Sequence, residues 1–323
     1  MKCEGKFPVN VKIFLEGEEE GGTGGTERFV EENRDLLSCD AVVLSDTSWH
    51  SEELPTMIYA LRGIAYFEVK VSGPNRDLHS GMFGGMVQNP LNAMTRIIAK
   101  MFDDDGKIAI PGIYDDVLPI TDEERKDFAS IGDDENLLKK DLGVDALWGE
   151  KGYTALERNW ARPSLDVNGI WGGYMAEGSK TVIPTDGGFK ISMRLVPNQT
   201  PGKVNTLLEK YIQEIAPPGV KTSVSLLHAG APVMVETNNP FVGCAQSAIE
   251  RSFGKRPVLA REGASVPITA TFKSALRAPF IMMGLGLKKD NIHSPNERFK
   301  IDHFFKGITA CAHFYDEAGK VGK

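Results

Sequence analysis

VNVKIFLEGEEEGGTGGT, residues 9–26, is the stretch on which the reading of the fold turns. An apolar run at residues 11–15 feeds into Glu16, Glu18, Glu19 and Glu20, and then into a glycine-rich turn. A short apolar run bounded by turn residues predicts a strand buried in a parallel sheet. Chemistry in open α/β sheets gathers just past the carboxyl ends of such strands. Glu18, Glu19 and Glu20 are therefore expected at the mouth of a sheet. Two readings of the acidic run stay open, a solvated loop and a cation site. A phosphate-binding turn fits less well, because Glu27 stands where a dinucleotide fingerprint needs its last glycine. Neighbouring carboxylates would also repel a phosphate, whereas they suit a hard or borderline cation.

Working outward, Thr26 can cap a helix running to Leu37, and residues 41–44 read as a second short buried strand ending in Ser45-Asp46. Strand, acidic mouth, helix, strand and acidic mouth make a βαβ unit with its carboxylates on one edge. The pattern changes near Arg62-Gly63. Residues 65–71 alternate, with Phe67, Val69 and Val71 on one face, as an antiparallel half-exposed strand does. A helix is expected over 89–102, a second alternating strand over 189–195, a helix over 202–216 and a strand over 222–227. Residues 107–165 read as irregular and acidic, with one capping box at Thr121 and Glu124. An α+β sandwich spanning 63–233 is thus expected as an insertion in an α/β domain made of 1–62 and 234–323. The α/β pattern resumes with a helix over 240–253, a strand over 279–283 and a helix over 302–318. That last helix is expected to turn Phe305, Ile308, Ala312 and Tyr315 inward.

The whole chain narrows the possibilities. Its 323 residues suffice for two cores, and 41% hydrophobic with 25% charged residues is ordinary globular composition. A net charge of −7 without a basic cluster argues against a nucleic-acid partner. No apolar run is long enough to span a membrane, and the first residues lack the apolar core of a signal peptide. Four dispersed cysteines read as reduced thiols of a cytoplasmic protein.

Several residues are candidates for chemistry. His293 lies in a loop after a core strand, again at the mouth of the α/β sheet. With Glu20 and Asp46 on neighbouring strand ends it makes a plausible nitrogen and oxygen ligand set for zinc or a similar divalent ion. Adjacent residues at a strand end point in different directions, so Glu20 can bind a metal while Glu19 acts as general base to its water. His79 sits in a loop of the inserted region, where a simple hydrogen-bonded role is the alternative. Arg194 and the Arg261-Glu262-Gly263-Ala264-Ser265 run are candidates for holding a carboxylate. His303 and His313 read as surface or packing residues, and His50 as a loop residue without a role. The absence of HExxH and GxSxG motifs argues against a thermolysin-like zincin and a serine hydrolase.

Taken together, FLEGEEEGG, VVLSDTSW, LRGIAYFEVKV, DLHSGMFGG, IPGIYDDVLPITDEE, GSKTVIPT, SMRLVPNQTP, REGASVPIT and NIHSPNE resemble the M20 metallopeptidases in family order. The dipeptidase and carnosinase branch is the most similar. The resemblance implies a catalytic α/β domain with a mostly parallel sheet flanked by helices. Its inserted sandwich would be ferredoxin-like and serve as lid and dimerisation domain. It also implies hydrolysis of dipeptides or short peptides, a homodimer, and two divalent ions, zinc or else manganese or cobalt. Position by position, it implies Glu19 as general base and Glu20, Asp46 and His293 as metal ligands. His79 would be the lid histidine that reaches the partner's site, and Arg194 the grip on the substrate carboxylate. Thr181, Ser265 and His228 would contact substrate, with Glu262 behind the ligands. A His-x-Asp stretch and an Asp-Asp-Lys-Gly stretch that family members carry upstream have no counterpart here. The expectation is therefore a family enzyme lacking its N-terminal portion, holding one ion or none and inactive as it stands. An N-acyl-amino-acid deacylase of the same family and a non-catalytic paralogue dimerising through the lid are the alternatives.

Overall fold

A computed structural model of the chain describes residues 7–17, 25–132, 134–266 and 268–322. Residues 11–15, expected as a buried strand, form none: Ile13 is 80% and Leu15 89% exposed. No described strand lies alongside to complete a ladder, so only part of the run turns inward. Phe14 packs against Phe272 and Phe29. Lys12 Nζ donates to the carbonyls of Leu36 and Ser38 at 2.7 and 2.6 Å, the favourable place for a cation beside a helix C-terminus. The expected helix over 26–37 breaks at Asn33 into α1 (Gly25–Glu32) and α2 (Arg34–Leu37). Three strands follow, β1 (Val42–Leu44), β2 (Ser48–Trp49) and the fully buried β3 (Thr56–Leu61).

After Arg62 the chain enters a second sheet through β4 (Gly63–Ser72), whose side chains alternate as expected. A Cβ at Gly63 would lie 2.5 Å from the Gly230 carbonyl and the Pro232 nitrogen, so only glycine fits this crossover. Next come β5 (Leu78–His79), α3 (Ser80–Phe83) and α4 (Pro90–Ala99), the last capped by Asn89 with proline at its start. The stretch read as irregular holds three helices, α5 (Asp122–Ile131), α6 (Glu135–Leu142) and α7 (Ala155–Ala161). Capping boxes open two of them, Thr121 with Glu124 and Thr154 with Glu157. Then follow β6 (Ser164–Gly172), β7 (Val182–Ile183), β8 (Asp186–Leu195), α8 (Pro201–Ile215) and β9 (Lys221–Gly230). The four-stranded sheet runs β6-β8-β4-β9, antiparallel throughout. Phe67, Phe189, Met193 and Leu195 pack beneath Met94 and Ile97 of α4 and Leu208 and Ile212 of α8. Each such side chain contributes roughly 1.5–3 kcal/mol by leaving water.

The chain returns through β10 (Val233–Met234), α9 (Pro240–Phe253), β11 (Val258–Glu262), α10 (Ile268–Leu276), β12 (Phe280–Met282), β13 (Gly286–Leu287) and α11 (Ile301–Ala318). The α/β class is as expected, with a mixed five-stranded sheet. The pairs β1–β12 and β3–β11 are parallel, and β12 and β10 run antiparallel to β3. Phe128 and Ile131 of α5 and Leu156 and Trp160 of α7 pack into this sheet's core with Tyr59 and Leu61. The chain therefore crosses between the two cores four times: at Arg62, before α5, after α7 and after β9.

The buried face of α11 is largely not the one expected, although Tyr315 does pack against the core. His303, Gly307, Ala310 and Phe314 are buried, while Phe305 is 63% exposed and Ile308 is also exposed. The helix packs closely on α9, where Ala245 and Ala248 meet Ala310. Small residues permit that approach and larger ones do not.

Candidate active site

Asp46 lies just past β1. Ser45 Oγ donates to the Met283 carbonyl at 3.0 Å, and Thr47 Oγ1 accepts from the Gly284 N–H at 3.0 Å. The parallel pair β1–β12 thus continues as two bound tracks, with Asp46 exposed between its anchored neighbours. His293 follows on the second track, exposed in a loop that the buried Asp290 braces by accepting from the Leu287 N–H at 2.8 Å. Its φ of 59° lies in the left-handed region, as do those of Asn291 and Asn296. For a residue with a Cβ this costs about 1–2 kcal/mol, so the surrounding loop holds His293 in place against strain. Glu19 and Glu20 lie outside the described residues. Among the described residues, no three His, Cys, Asp or Glu side chains group closely enough to hold a metal ion. Asp46 and His293 have suitable donor chemistry for a divalent cation but do not by themselves make a metal centre.

A second group sits where the two sheets join. Arg194 of β8 donates from its guanidinium to Ser265 Oγ at 2.9 Å. Glu262, at the end of β11, accepts from the Gly263 N–H at 2.9 Å. Arg62, only 8% exposed, donates from Nε to the Gly263 carbonyl at 2.9 Å, and its backbone N–H reaches the Ala264 carbonyl at 3.2 Å. Burial, reinforced by the neighbouring Arg194, pushes Arg62 down to about 10, against the pull of Glu262 and Asp166. The Arg62 guanidinium therefore stays charged near neutrality.

Arg261 does not serve as a substrate grip. It is 2% exposed and bound to Glu124 of α5, with Nε also donating to Tyr59 Oη at 3.0 Å. The carboxylate it holds is the protein's own. Burial pushes Glu124 up, but hydrogen bonds from the Thr121 backbone, Tyr59 and Arg261 outweigh it and leave the carboxyl below its usual range.

The third group is on the sandwich. β5 pairs with β7, so His79 lies opposite Val182, and the Ser80 N–H donates to the Thr181 carbonyl at 3.0 Å. His79 is exposed, and its Nδ1 accepts from the Gly81 N–H at 3.1 Å. The neutral ring therefore carries its proton on Nε2, as a donor. His228 is exposed on β9 opposite Tyr66. The structure thus joins Arg194 to Ser265 and the His79 turn to Thr181. Because β3 and β11 run against β12, Ser265 leaves the sheet from the end opposite Asp46. Sequence reasoning passed over Arg62, although a lone charge inside the apolar stretch 56–67 was the available signal.

Comparison with known proteins agrees with this architecture. The M20 peptidase dimerisation domain matches residues 59–220. Cys-Gly metallodipeptidase dug1 of Schizosaccharomyces pombe is 33% identical over 98% of this chain and 67% of its own length. The crystal structure of human carnosine dipeptidase 1 superposes with a TM-score of 0.79 at 30% identity, covering 99% of this chain and 68% of that one. An M20 family metallo-carboxypeptidase from Sulfolobus solfataricus gives 0.80 at 30% identity, covering 94% and 69%. The chain belongs to the M20 metallopeptidases, a family of metal-dependent hydrolases. It spans about two thirds of the length of these relatives. Among the described residues, no helix is long and apolar enough to cross a membrane.

Proposed function

We propose that this chain carries the substrate-holding and proton-transfer groups of a dipeptidase that cleaves dipeptides or short peptides. The observation that carries the reading is the Arg194–Ser265 hydrogen bond at the junction of the two sheets. It presents a fixed guanidinium where a peptide's terminal carboxylate could be gripped. Thr181 and His228 complete the substrate contacts, and Glu262 backs the Arg194–Ser265 group. Because Ser265 and Asp46 leave opposite ends of the sheet, this group and the metal ligands would meet on one substrate across the dimer. Glu20, Asp46 and His293 would hold a divalent ion, most simply zinc, or else manganese or cobalt, which when bound supplies an activated water. Glu19 takes the proton from the attacking water and delivers it to the leaving amine. His79 donates from Nε2 to the developing oxyanion. It does so across a homodimer formed through the sandwich, a reading supported by its exposure and by the matched dimerisation domain. A cytoplasmic location belongs to the same proposal, supported by the free thiols of Cys39, Cys244 and Cys311.

The test is hydrolysis of dipeptides by the purified protein with added manganese or zinc, before and after chelation. Glu19→Gln should lower turnover by about 10²–10⁴-fold; full activity would remove Glu19 as the base. Metal content by elemental analysis should fall in Glu20→Ala and His293→Ala. Cleavage of acylated amino acids in preference to dipeptides would redirect the assignment to a deacylase.

A further inference from the structure

We propose that Arg62 is a positioning residue that fixes the guanidinium of Arg194 by holding the 263–265 loop to the crossover between the two sheets. The proposal rests on Arg194 being the carboxylate grip. Arg62 is the single residue between β3 and β4, so its backbone is committed to both sheets. Two successive carbonyls of the loop are bound to it, Gly263 through Nε and Ala264 through the backbone N–H. The next residue, Ser265, receives Arg194. The root of Arg194 is fixed beside the same crossover, because it lies opposite Ile64 in the β4–β8 ladder and opposite Ser164 in the β6–β8 ladder. Arg62 also reaches Ser164 Oγ at 3.5 Å, the outer limit of a hydrogen bond.

The result is a closed circuit: Arg62 to the loop, the loop to Arg194, and Arg194 through the sheet back to Arg62. The loop has little other freedom on its inner side, since a Cβ at Gly263 would lie 2.3 Å from the Asn159 side chain. A planar, permanently charged group suits this task. It can donate sideways from Nε while remaining in the wall of the junction, which a lysine ammonium on its flexible stem cannot copy. Without the guanidinium, the buried Gly263 carbonyl loses its partner and Ser265 loses its fixed position.

The experiment compares wild type with Arg62→Met, Arg62→Lys and Arg194→Met. Circular dichroism and thermal melting confirm that each variant is folded. Hydrogen exchange followed by mass spectrometry reads the loop directly and needs no catalysis. Peptides covering 262–266 should exchange faster in both Arg62 variants. For turnover, the readout is the ratio of kcat/KM for a dipeptide to that for its C-terminally amidated form. Arg62→Met should shrink this ratio about tenfold, mostly through KM, and the double variant with Arg194→Met should be no worse than Arg194→Met alone. Unchanged exchange at 262–266 in folded Arg62→Met overturns the proposal, as does additive loss in the double variant. Faster exchange without discrimination in wild type leaves the loop-holding role standing and overturns the reading of Arg194 as a carboxylate grip.

Discussion

The sandwich and the five-stranded sheet use their apolar residues differently. In the sandwich, Phe67, Phe189, Ile191 and Met193 are sealed between β4, β8 and two helices of the same unit. Around the other sheet, Phe14 and Trp49 are drawn in while Ile13, Leu15, Phe304, Phe305 and Ile308 face outward; the outer surface of the sandwich likewise exposes Met82, Met86, Ile170 and Met175. The contrast teaches that the sandwich core is sealed by its own sheet and helices. The five-stranded sheet buries two apolar clusters and adds polar ties between elements distant in sequence, among them Arg261 with Glu124 and Tyr59, and Arg125 with Glu157.

Four measurements can break or sharpen that contrast. Phe67→Ala, in the sealed core, should cost about 3–5 kcal/mol in urea unfolding; a loss under 1 kcal/mol would deny the core its role. Glu124→Gln leaves Arg261 without its countercharge and should cost about 3 kcal/mol, read by the same titration. The third effect is the pH dependence of the wild type. Because the Glu124 carboxyl is held below its ordinary value of 4.5 in the folded state, its contribution is present above that value and is lost as pH falls below it. Melting temperature followed downward from pH 5 should therefore fall more steeply in wild type than in Glu124→Gln, and equal slopes would refute the assignment. Smallest of all, Phe305→Ser should change stability by no more than about 0.5 kcal/mol while reducing binding of an apolar dye. A large destabilisation would mean that the outward face of α11 is packed after all.

Much of the fold could be read in advance because alternation is a strong signal. The strands around Phe67 and Phe189 and the Asn89 and Asn239 caps lie where pattern and propensity place them. The failures have physical causes. Residues 11–15 have the composition of a buried strand, but a strand needs a neighbour, and composition cannot supply one. The helices between 122 and 161 are short, and two of them face a sheet that is distant in sequence; Thr154 with Glu157 repeats the signal that was read at Thr121 and Glu124. For α11, the most apolar stripe is not the buried one, because packing favours the stripe with Gly307 and Ala310. At the site, Arg194 and Ser265 were legible as residue types, and their contact was not, because 71 residues separate them. Arg62 lies inside the LRGIAYFEVKV stretch, but nothing in that stretch gives it a role. Its importance comes from standing at a crossover.

The path of the chain between its two cores has a mechanical consequence. An insertion joined by two threads can swing like a door on a pin. This one is sewn by four, and one pair of stitches carries helices that are anchored in the opposite core by Phe128 and Trp160. Rotation about any one thread must stretch the others, so the seam should be torsionally stiff. A unit joined this way is suited to small shear rather than wide opening, so the seam between the two cores should keep a nearly constant width.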